Sequence, residues 1–375
     1  MKRFEALDSW RGIAACLVAL HHLALSLNSH LDELGLIANG YLFVDFFFVL
    51  SGFVIAANYE KRLAEGFSAW RFALLRFGRV YPLHLAVLVA LILLRLAHSA
   101  SGLGAPSPFQ APRWSADTIL ANLLLVHSLH LFDFTPWNGP SWSISTEFYT
   151  YLLFAAAVAL SRRRIVLLLL PVAVASALAL WMLVGSIGTT FDWGLIRCIL
   201  GFSAGVMTWH AYRAAWLRGG TVLELICIVL IVAFVCHAGN TPLSLAAPAV
   251  FALAVLAFAA EAGAVSRLVR APALLWLGER SYSIYMVHAL VLWLLADCVK
   301  LLRLVGIELI AGAESASELW QNDVLYLVYI VLVLGVAALT YRTIEVPARA
   351  WIRRLATRRD VRVAMQSAPR PAVVD

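Results

Sequence analysis

The sequence predicts an all-α polytopic membrane protein with about ten transmembrane helices and both termini in the cytoplasm. Hydrophobic residues make up 62% of its 375 residues, charged residues make up only 14%, and the mean hydropathy is +0.84. A single soluble core cannot bury this much apolar surface. The apolar residues also occur in stretches of roughly 20, the length that a helix needs to cross a bilayer.

Ten such stretches follow one another along the chain. They lie near residues 10–28, 40–58, 82–98, 142–160, 164–184, 194–210, 222–237, 243–260, 282–300 and 324–342. Residues 118–132 are a candidate for an eleventh, interfacial helix. The first stretch is expected to be a retained helix and not a cleaved signal peptide. The possible cleavage site Ala24-Leu25-Ser26 is weak, Glu5, Asp8 and Arg11 precede it, and two histidines interrupt the apolar region.

Basic residues predict the orientation of the spans. With ten spans the termini lie on one side of the membrane, and all but five of the 29 Lys and Arg residues fall on that side. The exceptions are Arg95, Arg113, Arg197, Lys300 and Arg303. Because Lys and Arg are enriched in cytoplasmic loops, this side is predicted to be the cytoplasm. The net charge of +7 then reflects topology, and nucleic acid is not an expected partner.

One membrane domain is expected to carry the whole function. No internal repeat and no segment long enough for a second soluble domain is evident. The membrane domain is predicted to span residues 1–350, and 351–375 to form a basic cytoplasmic tail that begins as a helix and ends disordered. The five cysteines show no spacing typical of a metal, redox or disulfide site, so no metal is expected.

Ionisable residues inside the spans are the candidates for function, since each costs ~2.5–3.5 kcal/mol at the centre of a membrane helix. Arg11 and His22 are eleven residues apart, which leaves only about 20° of rotation between them on an α-helix. They therefore share one face, about 16 Å apart. His21 points about 100° away and is expected to pack against its neighbours.

Two carboxylates are predicted to join His22 in an acid/base centre. Asp45 and Glu147 lie ~8 and ~9 Å from the outer ends of their spans, and His22 lies ~9 Å from the outer end of its own. Residues at similar depth can meet in one layer, although interhelical hydrogen bonding is the alternative role for both carboxylates. A buried Asp45 also requires a cationic or protonated partner.

A second group of residues is predicted to form an anion-binding mouth on the cytoplasmic side. His288 is expected about 9 Å from the cytoplasmic end of its span. Guanidinium groups bind phosphates well, but arginines beside a membrane also set topology. The predicted mouth comprises Arg11, Arg76, Arg79, Ser281, Tyr282 and His288.

Six segments, in this order, resemble those of the acyltransferase-3 family of integral membrane acyltransferases. They read "LDSWRGIAACLVALHHL", "FVDFFFVLSGFVI", "RFGRVYPLHL", "SWSISTEFYTYLL", "LGERSYSIYMVH" and "TIEVPAR", and the match runs from residue 4 to about 350. The resemblance implies a ten-helix bundle that moves an acyl group, usually acetyl from cytoplasmic acetyl-CoA, to a hydroxyl of a carbohydrate or glycan acceptor. The family's first-helix arginine and histidine match Arg11 and His22.

The resemblance implies an enzyme of the bacterial cytoplasmic membrane with acyl-CoA, a glycan acceptor and membrane lipid as partners. His22, oriented by Asp45 or Glu147, would act as the general base, and a covalent acyl-histidine relay is the alternative route. Many relatives carry a fused esterase-like domain that this chain lacks, so we expect the membrane domain or a separate partner to handle the acceptor. A transporter or flippase with a proton relay is the rival class. Many transporters are built from internal sequence repeats, and none is evident in this sequence.

Overall fold

A computed structural model describes residues 3–101, 112–161, 164–217, 219–304 and 319–367. Within these ranges the chain is almost entirely helical and contains no strand, as predicted. The long helices are α1 (Glu5–Ala24), α2 (Phe43–Ile55), α3 (Ala69–Ser101), α4 (Trp142–Ser161), α5 (Ile165–Leu183), α6 (Gly194–Arg213), α7 (Thr221–Ala238), α8 (Ala247–Ala259), α9 (Pro272–Leu304), α10 (Leu319–Thr340) and α11 (Val346–Ser367).

Short helical segments connect and extend these helices. The α-helical ones are Gly35–Ala38, Lys61–Ala64, Ala116–Leu123 and Ala264–Val269; the 3₁₀ ones are His30–Glu33, Gly40–Leu42, Pro112–Trp114, Gly139–Ser141 and Pro242–Ala246. Single π-helical turns, Ala56–Glu60 and Tyr341–Glu345, follow α2 and α10. The predicted interfacial helix at 118–132 is wrong in extent, since the helix there ends at residue 123.

The protein is a multi-pass membrane protein. In the described ranges, eight helical segments are long and apolar enough to cross a bilayer. Two further helices, α1 and α6, have 20 residues each but carry charges within them, such as Arg11 and Arg197. The count of ten spans and the cytoplasmic position of the termini stay predictions.

Helices α1 and α9 pack together with their backbones in contact. A Cβ atom added at Gly12 would lie 2.6 Å from the backbone nitrogen of Gly278, so only glycine fits at this crossing. Small residues let membrane helices approach closely in this way. The contact fixes how α1, with its ionisable residues, faces α9.

Three helices extend beyond boundaries predicted from the sequence. Helix α3 begins at Ala69, so Arg76 and Arg79 lie inside it. Helix α9 begins at Pro272, ten residues before the predicted start of its span at 282. Helix α11 runs through the predicted domain boundary at residue 350, and its Ile352 side chain lies against Gly78 of α3. The predicted disorder at the end of the tail concerns residues 368–375, which lie outside the described residues.

Candidate active site

Two adjoining cavities lie between the helices, one lined mainly by α1, α2, α3 and α11 and the other by α1, α2, α3, α4 and α9. The wider one, which we call the vestibule, has a volume of about 640 Å³. The narrower one, the inner cavity, has a volume of about 130 Å³. The residues that line both are Arg11, Leu50, Val54, Ile55, Arg76 and Arg79. This shared lining makes the inner cavity a continuation of the vestibule.

The vestibule is strongly basic. It lies at the end of α2 that the charge distribution predicts to be cytoplasmic. Of the described residues that line it, one is acidic, Asp8, and eight are arginines: Arg3, Arg11, Arg62, Arg71, Arg76, Arg79, Arg349 and Arg353. So many guanidinium groups around one opening produce a positive potential that attracts anions.

Arg11 is held by the beginning of α9. Its Nε donates a hydrogen bond to the Ser281 hydroxyl at 2.7 Å, and one of its terminal nitrogens donates to the Gly278 carbonyl at 2.9 Å. Asp8 lies 3.3 Å from the same guanidinium. The structure therefore brings together Arg11 and Ser281, as predicted, where the vestibule meets the inner cavity.

Arg76 points into the inner cavity beside Tyr151. Its Nη2 donates to the Tyr151 hydroxyl at 2.9 Å, and the guanidinium lies 4.5 Å from the centre of the tyrosine ring. The Ser51 hydroxyl lies 3.1 Å from the same phenol oxygen. Glu147 interacts electrostatically with both Arg76 and Tyr151. In the described part of the chain, the buried Nε of Arg76 has no hydrogen-bond acceptor.

Arg79 is neutralised by a buried carboxylate that sequence analysis did not assign to the site. Its guanidinium bonds Glu345, which is only 2% exposed. The other carboxylate oxygen accepts a hydrogen bond from Ser283 at 2.6 Å, and Arg349 lies 3.2 Å from Glu345. Glu345 lies in the π-helical turn after α10, a local distortion that is frequent at functional sites.

Two tyrosines of α9 define the wall of the inner cavity. The Tyr282 hydroxyl donates to the Val80 carbonyl, and Arg79 lies 5.4 Å from the centre of the Tyr282 ring. The Tyr285 hydroxyl donates to the Pro140 carbonyl at 3.0 Å and lies 2.8 Å from the Ser143 hydroxyl. Tyr285 is thereby fixed between α9 and the beginning of α4.

His22 and His288 form a pair behind Tyr285. Their ring centres are 4.8 Å apart, and the Tyr285 ring lies 5.7 Å from that of His288. The Nδ1 of His22 lies 2.8 Å from the Val18 carbonyl, and the Nδ1 of His288 lies 2.6 Å from the Tyr285 carbonyl. Because a carbonyl only accepts, each Nδ1 carries the proton and each Nε2 keeps a free lone pair.

The predicted depth of His288 is wrong. The prediction assumed a span that begins at 282, which would place His288 near the vestibule with Arg11. Because α9 begins at Pro272, His288 is 16 residues into the helix, about 24 Å from its start. It therefore lies beside His22, the predicted proton-transfer residue, and not at the basic mouth.

The two carboxylates that were predicted to meet His22 make their observed contacts with other residues. Asp45 is fully buried and bonds Arg197 through both oxygens, at 3.0 and 2.7 Å. Glu147 lines the inner cavity near Arg76. Among the described residues, neither carboxylate is hydrogen-bonded to His22.

Arg197 is the partner that a buried Asp45 requires, and sequence analysis did not identify it. It is 1% exposed, and it also donates to the carbonyls of Thr189 and Tyr41 at 3.1 and 3.2 Å. Its guanidinium lies 5.2 Å from the centre of the Trp142 ring. The available signal was the buried charge of Asp45 itself, which calls for an arginine in another span.

His21 occupies a packing position. It is 7% exposed, and its Nδ1 bonds the Ile37 carbonyl at 3.0 Å, which ties α1 to the short helix Gly35–Ala38. The geometry thus separates the two adjacent histidines as helix arithmetic predicts, with His22 facing His288 and His21 facing the connecting segment.

Comparison with known proteins identifies the family. A family model described as an acyltransferase domain, that of acyltransferase 3, matches residues 4–342. The chain belongs to the acyltransferase-3 family. It is a membrane acyltransferase, as the motifs predicted. No solved structure matches the chain.

Two curated relatives match parts of this acyltransferase. One is "Protein 2 in picA locus" of Rhizobium radiobacter, 33% identical over 165 residues, which are 41% of this chain and 82% of that protein. The other is "Acyltransferase MdmB" of Streptomyces mycarofaciens, 36% identical over 130 residues, which are 33% of this chain and 29% of that protein. The matched segment thus spans most of the first relative but under a third of the second.

Proposed function

We propose that this acyltransferase takes an acyl group from acyl-CoA at the vestibule and transfers it to a hydroxyl of a carbohydrate or glycan acceptor, in the cytoplasmic membrane of a bacterium. The observation that carries the proposal is the arginine-lined vestibule that opens into the inner cavity. Coenzyme A carries phosphates on the end opposite its thioester. A basic opening that leads to a narrow cavity suits such a donor, since guanidinium groups bind phosphate through two parallel hydrogen bonds.

Arg76 is the better candidate of the two arginines in "RFGRVYP" for contact with the donor. Arg79 already bonds Glu345, so its charge is compensated within the protein. Arg76 has a buried Nε for which the described residues provide no acceptor, and it lines both the vestibule and the inner cavity. A donor oxygen would supply the missing partner.

The His22 tautomer suits general base catalysis. In the proposed step, Nε2 takes the proton of the acceptor hydroxyl while that oxygen bonds the acyl carbon. The carbon–sulfur bond then breaks, and the sulfur leaves with the proton from the imidazolium as the CoA thiol. A relay in which Nε2 first carries the acyl group uses the same nitrogen. Only the relay gives a His22 peptide that carries the acyl group, so mass measurement of peptides distinguishes the two routes.

The carbohydrate acceptor rests on the six motifs shared with the family. His22 is partly exposed, as a base that must meet an incoming hydroxyl requires. Nothing else in the described site selects one alcohol over another, so the acceptor must be identified by assay. A panel of radiolabelled transfer reactions from acetyl-CoA to mono- and oligosaccharides, with purified protein in nanodiscs, provides that test.

The Arg76→Ala variant tests the donor site. Loss of a charge-assisted hydrogen bond costs about 1.5–3 kcal/mol, so the KM for acetyl-CoA should rise about 10- to 100-fold with a smaller change in kcat. The exposed Arg342 provides the matched control, since Arg342→Ala removes the same charge outside the vestibule. Equal KM values in the two variants would contradict the donor role. Failure of the wild-type protein to bind or consume any acyl-CoA would refute the proposed function.

A further inference from the structure

We infer that a groove between α1 and α7 binds one acyl chain of an anionic membrane phospholipid. The groove has a volume of about 300 Å³, and every described residue that lines it has a hydrophobic side chain. None of the described residues lines both this groove and the inner cavity. The inference therefore concerns a second site and does not depend on the acyl-CoA donor.

The groove has a buried floor and partly exposed walls. Phe46 of α2 and Phe251 and Phe258 of α8 form the floor and are at most 6% exposed. Leu17 of α1 and Val232 of α7 belong to the walls, and both are partly exposed. Helix α7 is long and apolar enough to cross a bilayer, so an opening beside it faces lipid chains and not water.

The dimensions of the groove suit a single lipid chain. Along α1 its lining extends from Leu7 to Leu17, ten residues or about 15 Å. That is half of the ~30 Å hydrocarbon thickness of a bilayer, the depth of one leaflet. An engineered cavity of about 150 Å³ holds benzene, so a volume of about 300 Å³ corresponds to roughly twelve carbon atoms. Most of one acyl chain fits these dimensions, and two chains exceed them.

Trp10 provides a hydrogen-bond donor at one end of the groove. Its indole Nε1 is buried, and the described residues provide no acceptor for it. The indole lines the groove, and its ring centre lies 5.1 Å from that of Phe258. An indole nitrogen only donates, and tryptophans are typical of the membrane interface, where lipid ester groups lie. The ester carbonyl at the head of a bound acyl chain would supply the missing acceptor.

One connecting segment, residues 261–270, joins the starts of both walls. The backbone nitrogen of Ala6, in the first turn of α1, donates to Glu261 at 2.9 Å. The backbone nitrogen of Gly263 donates to Glu224, in the first turn of α7, at 3.0 Å. Because α1 and α7 both begin at this segment, it lies across the end of the groove that the charge distribution predicts to be cytoplasmic.

This segment gives the same end of the groove a positive charge. Arg267 is exposed, and the Arg270 side chain is 33% exposed. Glu261 lies 3.9 Å from the Arg270 guanidinium and compensates only one of these two charges. Basic pockets between membrane helices bind anionic lipid headgroups. The charge therefore favours a lipid with an uncompensated phosphate, such as phosphatidylglycerol.

Lipid titration of the purified, delipidated protein tests the inference. The measured quantity is the Kd of the first bound lipid, from native mass spectrometry in detergent micelles with dioleoyl phosphatidylglycerol or dioleoyl phosphatidylcholine. One arginine near a headgroup changes affinity for an anionic lipid about fivefold, so the wild-type protein should bind phosphatidylglycerol at least about fivefold more tightly. Arg267→Gln should remove most of this preference, whereas Arg342→Gln, which changes an exposed arginine outside the segment, should retain it.

Substitutions within the groove test the acyl chain and its ester group separately. Ala254 is a buried residue of α8 that lines the groove. Ala254→Leu fills space that the chain needs and should raise the Kd for phosphatidylglycerol about 5- to 150-fold. Trp10→Phe keeps an aromatic ring but removes the N–H donor, so it should raise the same Kd about 2- to 12-fold.

Ala252→Leu and Trp181→Phe are the matched controls. Ala252 is a partly exposed alanine of α8 outside the groove lining, and Trp181 is an exposed tryptophan of α5. Their Kd values should stay within about twofold of wild type. If Ala254→Leu fails to fold, Trp10→Phe decides the question, because it adds no volume.

Two results would overturn the inference. Equal Kd values in the folded groove variants and their controls would exclude the acyl chain from the groove. Equal Kd values of the two lipids in the wild-type protein would exclude an anionic headgroup. Lipid binding is measured without acyl-CoA, so either result leaves the proposed function unaffected.

Discussion

Replacing Asp45 distinguishes a structural carboxylate from a catalytic one. Its ion pair with Arg197 has two oxygen contacts, at 3.0 and 2.7 Å, and both side chains are buried. Removing one partner of a buried pair costs about 3–5 kcal/mol, because the other charge stays buried without compensation. We therefore expect Asp45→Asn to lower the free energy of unfolding by several kcal/mol.

Activity per folded molecule separates the two roles. Loss of general acid–base catalysis lowers a rate by about 10²–10⁴. Asp45 bonds Arg197 and not His22, so the folded Asp45→Asn variant should transfer acetyl at a rate reduced by less than about 10². The free energy of unfolding is measured by SDS titration in mixed micelles, and kcat by transfer from saturating acetyl-CoA.

The double variant Asp45→Leu/Arg197→Met completes the comparison. Replacing a buried ion pair with apolar residues of similar volume is often neutral or stabilising, so the double variant should be more stable than Asp45→Asn. An Asp45→Asn variant that keeps wild-type stability while its kcat falls by more than 10² would refute the structural role of Asp45. That result would return Asp45 to the acid/base role that its sequence context predicted.

Two further outcomes are expected. His22→Ala should lower acyl transfer by about 10²–10⁴ while acyl-CoA binding is retained, whereas His21→Ala should keep most of its activity; the reverse pattern in folded protein would contradict the assignment. Burial lowers the pKa of His127, in the loop before α4, to about 3. Because the unfolded chain binds this proton near pH 6.5 and the folded one does not, the free energy of unfolding should fall by about 1.4 kcal/mol per pH unit below 6.5, a slope that His127→Gln should reduce.

The spacing of residues along one helix predicted the part of the site that lies on that helix. The eleven-residue spacing of Arg11 and His22 depends only on the α-helical repeat, and the structure places both on the face of α1 that meets α9. The start of α9 could not be located in the same way. Its first ten residues, "PALLWLGERS", include the charged Glu279 and Arg280. Because these charges interrupt the apolar stretch, hydropathy places the start of the span after them, although the helix begins at Pro272. The depth of His288 was wrong for that reason.

Residue spacing does not predict which residues of distant segments form ion pairs. Asp45 and Arg197 are 152 residues apart, and Arg79 and Glu345 are 266 apart. The sequence shows that each buried charge needs a partner, but several arginines could serve. Only the packing of the helices selects Arg197 for Asp45 and Glu345 for Arg79. The same packing places Glu147 in the lining of the inner cavity.

The register of α1 and α9 accounts for the histidine pair. Gly12 lies against Gly278, and these two helices run in the same direction, since later residues of α1 meet later residues of α9. Ten residues beyond each glycine stand His22 and His288. Equal rise along two parallel helices keeps such positions at the same level, which explains why the rings meet at 4.8 Å. A contact between two glycines near the vestibule thus determines which side chain faces the predicted catalytic histidine.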